Sequence, residues 1–271
     1  MEPLDLLNSH RSIRLYKSDP VREEALAAIL HAASRASSSG NMQTYSIIVT
    51  KDAERRAALW ELHYEQDMIK QAPVLLTFCV DWNRMVHWCE SSDASPGYDN
   101  VLSFLVGFAD ALIAAQNAAV AAESLGLGIC YMGTTICIPH KLIDFFKLPR
   151  RVFPATTLVL GHPEEAPDLR ARLPLESIVH RESYAPFDDA RIKATYHDRE
   201  TEGWDRYMAI PELAEHIHQS GVRNLAQVYT QLKYTLENNT RLSRDLVTAL
   251  RRQGFLDNHP DLFGALESPA T

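Results

Sequence analysis

The chain has 271 residues, of which 46% are hydrophobic and 23% charged, a composition typical of a globular protein with a full core. Its formal net charge of −8 argues against general affinity for DNA, RNA or an anionic membrane. The four cysteines form no CxxC pair, and no secretory signal precedes the first motif, so we expect reduced thiols and a cytoplasmic location.

The first motif, at residues 10–14, is rich in hydrogen-bond donors and follows a short helix that we expect to end near Asn8. Its sequence is His-Arg-Ser-Ile-Arg, and the planar fork of an arginine matches the oxygens of a phosphate. The motif therefore indicates an anion site, although a surface segment rich in salt bridges has the same composition.

A helix is predicted to begin at Asp19-Pro20, with Asp19 as its cap, and to end in a polar turn at residues 37–41. The turn offers several hydroxyl and backbone N–H groups. The apolar run Tyr45 to Thr50 that follows it predicts a buried strand.

Asp52 is expected to cap the next helix, with Gln66 near the end of that helix. Residues 73–80 form a continuous apolar run, which predicts a strand in a sheet that is covered on both faces. The polar segment 81–100 contains Pro96-Gly97 and is predicted to be a loop.

The most apolar stretch begins at Val101 and predicts one long helix that ends at Gly126-Leu127-Gly128. Its length would allow it to span a bilayer, but four polar side chains make a central core helix the favoured interpretation. We expect this helix to be buried all round and to supply a subunit interface. Its main polar members are Asp110, Gln116, Asn117 and Glu123.

Three further elements are predicted after this helix: a short strand at 129–132, a helix at 139–146 and a strand at 155–161. The loop beyond them places Arg170 and Arg172 together. Both arginines could face the same anion as the first motif, or both could be solvated surface residues.

The last part of the chain has a different composition. Residues 185–210 are polar without a clear period, which predicts a connecting arm. Apolar residues, mostly leucines, recur every three or four positions at 222–236 and at 242–250. This spacing predicts helices, with a break at 238–240. In an acidic chain, these helices are expected to pack on the same or a neighbouring subunit rather than to bind nucleic acid.

Several of these motifs recur together in one known order. They are the HRSIR run, the Ser-rich turn with Gly40, Asn41 and Gln43, the strand YSIIVT, the helix end ESLGLG, the Tyr-x-Gly run at 131–133, and RARLP followed by His180. Over about residues 5–187 the chain resembles the nitroreductase superfamily. The resemblance is strongest to its NADPH-dependent flavin reductases and oxygen-insensitive nitroreductases.

The resemblance implies an α+β fold, in which helices wrap a central, mostly antiparallel sheet in an intertwined homodimer with FMN at the interface. Residues 1–187 would form the FMN-binding domain, and residues 188–271 would form a C-terminal arm with helices that pack on the dimer. The long helix would be the main dimer contact.

The resemblance also implies the residues that bind FMN. The phosphate and ribityl chain would be held by His10, Arg11, Ser12, Arg14, Arg170 and Arg172. The isoalloxazine ring would be approached by Ser38, Gln66 and the backbone of Tyr131, Met132 and Gly133. No catalytic side chain and no metal is implied, because the flavin carries the chemistry.

The implied activity is hydride transfer from NADPH or NADH through FMN to quinones, nitroaromatics or free flavin, by ping-pong exchange. The chain departs from the family pattern in two motifs. Thr134 stands where a second glycine is usual and Ile136 where an arginine is usual, while Arg170-Ala171-Arg172 replaces Lys-Pro-Arg and keeps its charge. The run Thr134 to Ile136 keeps open the first of two alternatives, and the tail beyond Tyr184, which matches the family poorly, keeps open the second. One is a specialised flavin-dependent relative that catalyses dehydrogenation or flavin cleavage, and the other is a flavin-binding sensor without turnover.

Overall fold

A four-stranded antiparallel sheet lies at the centre of the first of two compact units. The computed structural model describes residues 2–259, 261 and 262. The first unit takes in the described residues up to Asp168 and from Leu242 onward, and the second is Leu169–Arg241. The strand order β1-β2-β4-β3, with helices alongside, confirms the predicted α+β class. The strands are β1 (Tyr45–Thr50), β2 (Val74–Asp81), β3 (Gly128–Met132) and β4 (Val152–Gly161).

The helices of the first unit alternate with these strands along the chain. They are α1 (Pro3–Asn8), α2 (Glu23–Ser34), α3 (Ala53–Leu62), α4 (Met68–Gln71), α5 (Asn83–Ser91), α6 (Val101–Ser124) and α7 (Pro139–Phe146). Short 3₁₀ turns at Ser39–Asn41 and Gly133–Cys137 follow α2 and β3.

The second unit is built from helices. They are α8 (Leu175–Ile178), α9 (Asp189–Met208), α10 (Pro211–Ser220) and α11 (Leu225–Gln227), followed by a π-helical turn at Val228–Lys233. The last helix, α12 (Leu236–Arg252), begins in the second unit and continues into the first.

The sheet separates two apolar cores, because successive side chains of a strand point to opposite faces. On β2, Leu76 and Phe78 join the larger core with residues of α2, α6 and the end of α12. Leu75 joins the smaller core, with Leu59 of α3 and Leu142 of α7. Every residue of β2 is buried, which explains its uninterrupted apolar sequence.

The long helix α6 has one buried face and one exposed face, so the expectation that it is buried all round is wrong. Its buried face is lined by small residues, and a Cβ added at Gly107 would lie 2.6 Å from Cγ1 of Val80. Large apolar side chains lie on the other face, with Leu102 72% and Leu105 55% exposed. Length and composition would let α6 cross a membrane, but its small-residue face packs on the sheet and α2.

Two segments predicted to be irregular are helical. The predicted loop 81–100 contains α5, which follows Trp82, a buried side chain whose Nε1 donates to the Ser103 carbonyl at 2.7 Å. The predicted arm 185–210 contains α9, whose first turn is capped by the Asp188 carboxyl accepting from the Arg191 N–H at 2.8 Å. The helix α5 is only nine residues long, and α9 is mostly polar and charged, so hydrophobic periodicity does not reveal them.

Two predicted helix boundaries are also wrong. The helix assigned to Asp19 begins at Glu23, and its N-cap residue Arg22 makes no side-chain cap. The break expected at 238–240 is absent, since α12 runs through it and the Thr235 hydroxyl accepts from the Asn238 N–H at 3.2 Å. The caps predicted at Asp52 and at the glycine run after α6 agree with the structure.

Candidate functional site

The donor-rich segment 9–16 is anchored beside β3 by Ile13, one of its two buried residues. The N–H of Ile13 donates to the Ile129 carbonyl at 2.9 Å, and the Ile13 side chain lies against Gly128. A Cβ added at Gly128 would approach Cγ1 of Ile13 to 2.8 Å, so the contact requires glycine. This anchor fixes Arg11 and Arg14 on either side of Ile13.

Neither arginine of this segment has a carboxylate partner among the residues that the structure describes. The Arg11 guanidinium donates to the carbonyls of Pro167 at 3.0 Å and Ser9 at 3.3 Å. The Arg14 guanidinium donates to the Ser12 carbonyl at 3.4 Å. Two positive charges without a bound carboxylate suit a phosphate monoester, which accepts charge-assisted hydrogen bonds from both. The donor set of this segment therefore fits the FMN phosphate.

A cavity of about 250 Å³ adjoins this segment and is lined in part by His10, Arg11, Glu123 and Glu165. The His10 Nδ1 lies 2.7 Å from Oε1 of Glu123, the last acidic residue of α6. The Glu165 carboxylate accepts from the backbone N–H groups of Arg14 and Leu15. Consecutive backbone N–H groups that hold a carboxylate are an anion-binding arrangement.

The loop after α2 holds Ser38 in a left-handed turn. The backbone φ angles of Gly40, Asn41 and Gln43 are 58°, 56° and 51°. Inside this turn, the Ser38 hydroxyl accepts from the Gln43 N–H at 2.9 Å. Residues other than glycine rarely adopt positive φ angles, so the surrounding contacts must hold the loop in place.

Asp110 of α6 supplies those contacts. It is 1% exposed, its Oδ1 accepts from the Ser39 N–H at 2.9 Å, and its Oδ2 accepts from the Thr44 hydroxyl at 3.0 Å. Asp110 and Glu123 are recognisable in the sequence as polar members of an apolar helix, but their hydrogen bonds to the loop after α2 and to His10 were not predicted. Nothing in the sequence indicated Glu165 or His63 as site residues.

Gln66 lies at the end of a strained turn that begins at His63. The φ angles of Tyr64 and Glu65 are 59° and 56°. The turn brings Nε2 of Gln66 within 3.0 Å of the His63 carbonyl and 3.5 Å of the Thr134 hydroxyl. The same hydroxyl lies 2.7 Å from Nδ1 of His63, which is 1% exposed. Gln66 and the turn after β3 are thus tied together through Thr134.

The predicted backbone contacts lie where β3 ends. The Tyr131 hydroxyl donates to Gln116 at 3.2 Å, and burial, aided by Glu123, raises the pKa of that hydroxyl. Met132 is buried in the smaller core, and Gly133 is exposed with open space beyond its Cα. Ile136 is also exposed and carries no donor where the resemblance would place an arginine.

Arg170 and Arg172 lie in the second unit, in the exposed segment before α8. Their part in binding FMN therefore stays a prediction. In the first unit, His10 and Arg11 line one cavity beside Glu123, while Gln66 is connected to the β3 turn through Thr134.

We expect the pH dependence of stability to carry a contribution from His63. Burial lowers the pKa of His63 from 6.5 to about 4, so between these values the unfolded chain binds a proton that the folded chain does not. The contribution of His63 to the free energy of unfolding is therefore fully present above pH 6.5 and is lost as the pH falls toward 4. The difference between the two pKa values corresponds to about 3 kcal/mol.

Urea unfolding between pH 4 and pH 7 should show this slope in the native sequence and a flatter one in His63→Asn, which has no titrating ring. Parallel stability curves for the two proteins would contradict the prediction.

Comparisons with known proteins place the chain among flavin-dependent reductases. The profile of the Nitroreductase family matches residues 7–76 and 61–162. The FMN reductase (NAD(P)H) of Bacillus subtilis is 36% identical over 244 residues, which are 82% of this chain and 98% of the relative. The oxygen-insensitive NADPH nitroreductase of Salmonella typhimurium is 39% identical over 196 residues, 72% of this chain and 80% of the relative. A crystal structure of a candidate oxidoreductase from Bacteroides fragilis covers 93% of this chain and 99% of its own, with a TM-score of 0.85 and 40% identity.

Proposed function

Because this chain belongs to the nitroreductase family, we propose that it is an FMN-dependent oxidoreductase that transfers hydride from NAD(P)H to a quinone, a nitroaromatic or a free flavin. The observation that carries the proposal is the pair of guanidinium groups, Arg11 and Arg14, which one anchored segment presents without a carboxylate partner among the described residues. The names of the relatives, an FMN reductase and a nitroreductase, support the same chemistry.

The chain's residues would bind and orient the cofactor. Arg11 and Arg14 would hold the phosphate, with Ser12 and His10 beside them, and Arg170 with Arg172 would add charge. Bound FMN supplies two-electron transfer between nicotinamide and acceptor, so no side-chain acid or base is required. Ring contacts would come from Ser38, Gln66 and the backbone of Tyr131, Met132 and Gly133.

We also propose a homodimer with FMN at its interface. The exposed Leu102 and Leu105 of α6 support it, because large apolar side chains in one row are typical of an interface. Light scattering should then give twice the 30.5 kDa mass of one chain. A monomer at micromolar concentration would contradict this part of the proposal.

The proposed division of the chain keeps residues 1–187 as the FMN-binding domain and 188–271 as an arm that packs on the dimer. A crystal structure of the FMN complex would test that division and the residues assigned to the site. A cytoplasmic location is proposed because the donor is NAD(P)H and the cysteine spacing does not suggest a disulfide framework. Cell fractionation tests it.

The visible spectrum of the purified protein is the first test of the function. We expect a flavin band that bleaches on anaerobic addition of NADPH or NADH, because the bound cofactor accepts the hydride. Titrating the two donors separately ranks them, and reoxidation by a quinone shows turnover.

The other outcomes separate the alternatives. A flavin band that neither donor bleaches would contradict the reductase and favour the specialised relative or the sensor. Absence of flavin after incubation with FMN would contradict flavin binding itself.

A further inference from the structure

We propose that Thr134 and His63 are positioning residues that lock the Gln66 carboxamide, so that Gln66 offers FMN a hydrogen-bond acceptor and no donor. The inference rests on the proposed function, since it concerns how Gln66 meets the isoalloxazine ring. It assigns a task to Thr134, the residue that stands where a glycine is usual.

The orientation of the Gln66 amide follows from its neighbours. The His63 carbonyl can only accept, so the group 3.0 Å from it must be the amide nitrogen of Gln66 rather than its oxygen. The reversed amide would bring two carbonyl oxygens together. One amide hydrogen of Gln66 is therefore committed to the His63 carbonyl.

The second amide hydrogen of Gln66 is directed to Thr134. The Thr134 hydroxyl lies 3.5 Å from Nε2 of Gln66 and 2.7 Å from Nδ1 of His63. A hydroxyl has one hydrogen, and if it accepts from Gln66 it donates to Nδ1. Burial keeps His63 neutral near pH 7, so Nδ1 can accept that hydrogen when the ring carries its proton on Nε2.

The backbone holds this arrangement in place. His63 and Gln66 are joined by Tyr64 and Glu65, which both adopt left-handed φ angles of 59° and 56°. Such angles cost about 1–3 kcal/mol each and persist only where surrounding contacts impose them. The Glu65 N–H donates to the Trp60 carbonyl at 2.9 Å, which closes the turn onto α3.

With both amide hydrogens engaged, Gln66 has only Oε1 left for a ligand, and no donor among the described residues reaches that oxygen. Oxidised isoalloxazine has one N–H group, at N3, while N1, N5 and its two carbonyl oxygens are acceptors. A locked acceptor therefore selects the N3–H, and a flavin without that hydrogen should bind poorly.

The probe for this selection is 3-methyl-FMN, titrated against FMN on the apoprotein by flavin fluorescence. We expect the native sequence to bind the methylated flavin at least about tenfold more weakly, because a fixed acceptor oxygen meets a methyl group. In Thr134→Val one of the two hydrogen bonds that restrain the amide is lost and only the bond to the His63 carbonyl remains, so the amide gains freedom to move and the ratio should fall to about threefold or less. Thr134→Ser keeps the hydroxyl and should restore the ratio.

Thr135→Val is the matched control, because it makes the same chemical change one residue along. The Thr135 hydroxyl is buried and has no hydrogen-bond partner among the described residues, so its loss should leave the ratio unchanged. If Thr134→Val does not fold, Thr134→Gly removes the same hydroxyl and carries the same expectation.

Equal affinity of the native protein for both flavins would overturn the inference and leave the proposed function intact. An undiminished ratio in Thr134→Val would show a purely steric effect and overturn the role of Thr134. If the apoprotein binds neither flavin, the proposed function fails, and the inference fails with it.

Discussion

Arg11→Ala combined with Arg14→Ala is expected to yield a folded protein that has lost its flavin and its NAD(P)H-dependent activity. Each arginine would contribute a charge-assisted hydrogen bond to phosphate, worth about 1.5–3 kcal/mol, so the pair accounts for about 3–6 kcal/mol of binding. The dissociation constant for FMN should rise by about 10² to 10⁴, as measured by fluorescence titration. The fold should persist, because Arg14 contacts only the nearby Ser12 carbonyl and the substitutions remove one long-range hydrogen bond, from Arg11 to the Pro167 carbonyl.

Arg22→Ala combined with Arg35→Ala provides a control with the same change of charge. Both residues are exposed at the ends of α2 and belong to none of the predicted motifs. This variant should keep its flavin and its activity. A flavin-loaded, fully active Arg11/Arg14 variant would refute the assignment of the phosphate site.

The second large effect is expected for Asp110→Ala, which should lower the free energy of unfolding by about 3 kcal/mol. The substitution leaves the buried Thr44 hydroxyl without its acceptor, at about 1–3 kcal/mol, and also removes the acceptor of the part-buried Ser39 N–H. The left-handed loop that carries Ser38 would lose the hydrogen bonds that hold it to α6, so FMN affinity should fall as well. Urea unfolding of the apoprotein and a flavin titration measure the two effects separately.

Asn117→Ala is the comparison on the same helix. It removes one hydrogen bond, from the Asn117 amide to the Ala32 carbonyl at 3.2 Å, and does not touch the loop. We expect a loss of about 1 kcal/mol and unchanged flavin affinity. Equal losses of stability in the two variants would mean that Asp110 has no special part in holding the loop.

The sequence predicts the sheet and α6 well because their apolar runs are long and bounded by clear end signals. The β2 run and the glycines after α6 are examples, and both agree with the structure. It fails for α5, which is only nine residues long and is followed by a polar segment with Pro96-Gly97, and for α9, which is mostly polar and charged. The burial of α6 was overestimated because composition does not say which face a partner covers.

The proximity of the candidate donors could be predicted from the sequence, but the residues that hold them in place could not. His10, Arg11 and Arg14 share one short motif, so their proximity follows from the sequence. Asp110 meets the loop after α2 only through the packing of α6. His63 and Thr134 are 71 positions apart, and neither residue type alone indicates their contact. Tertiary contacts of this kind are set by the fold as a whole.

Because Ile13 is inserted against Gly128, binding of FMN to this segment should stabilise the native state. The segment that would grip the phosphate cannot be released without withdrawing a side chain from the smaller core, so FMN is retained only by the native state. A ligand present at a hundred times its dissociation constant adds about 2.7 kcal/mol to the native state. Removal of FMN should thus lower the free energy of unfolding as well as abolish the activity.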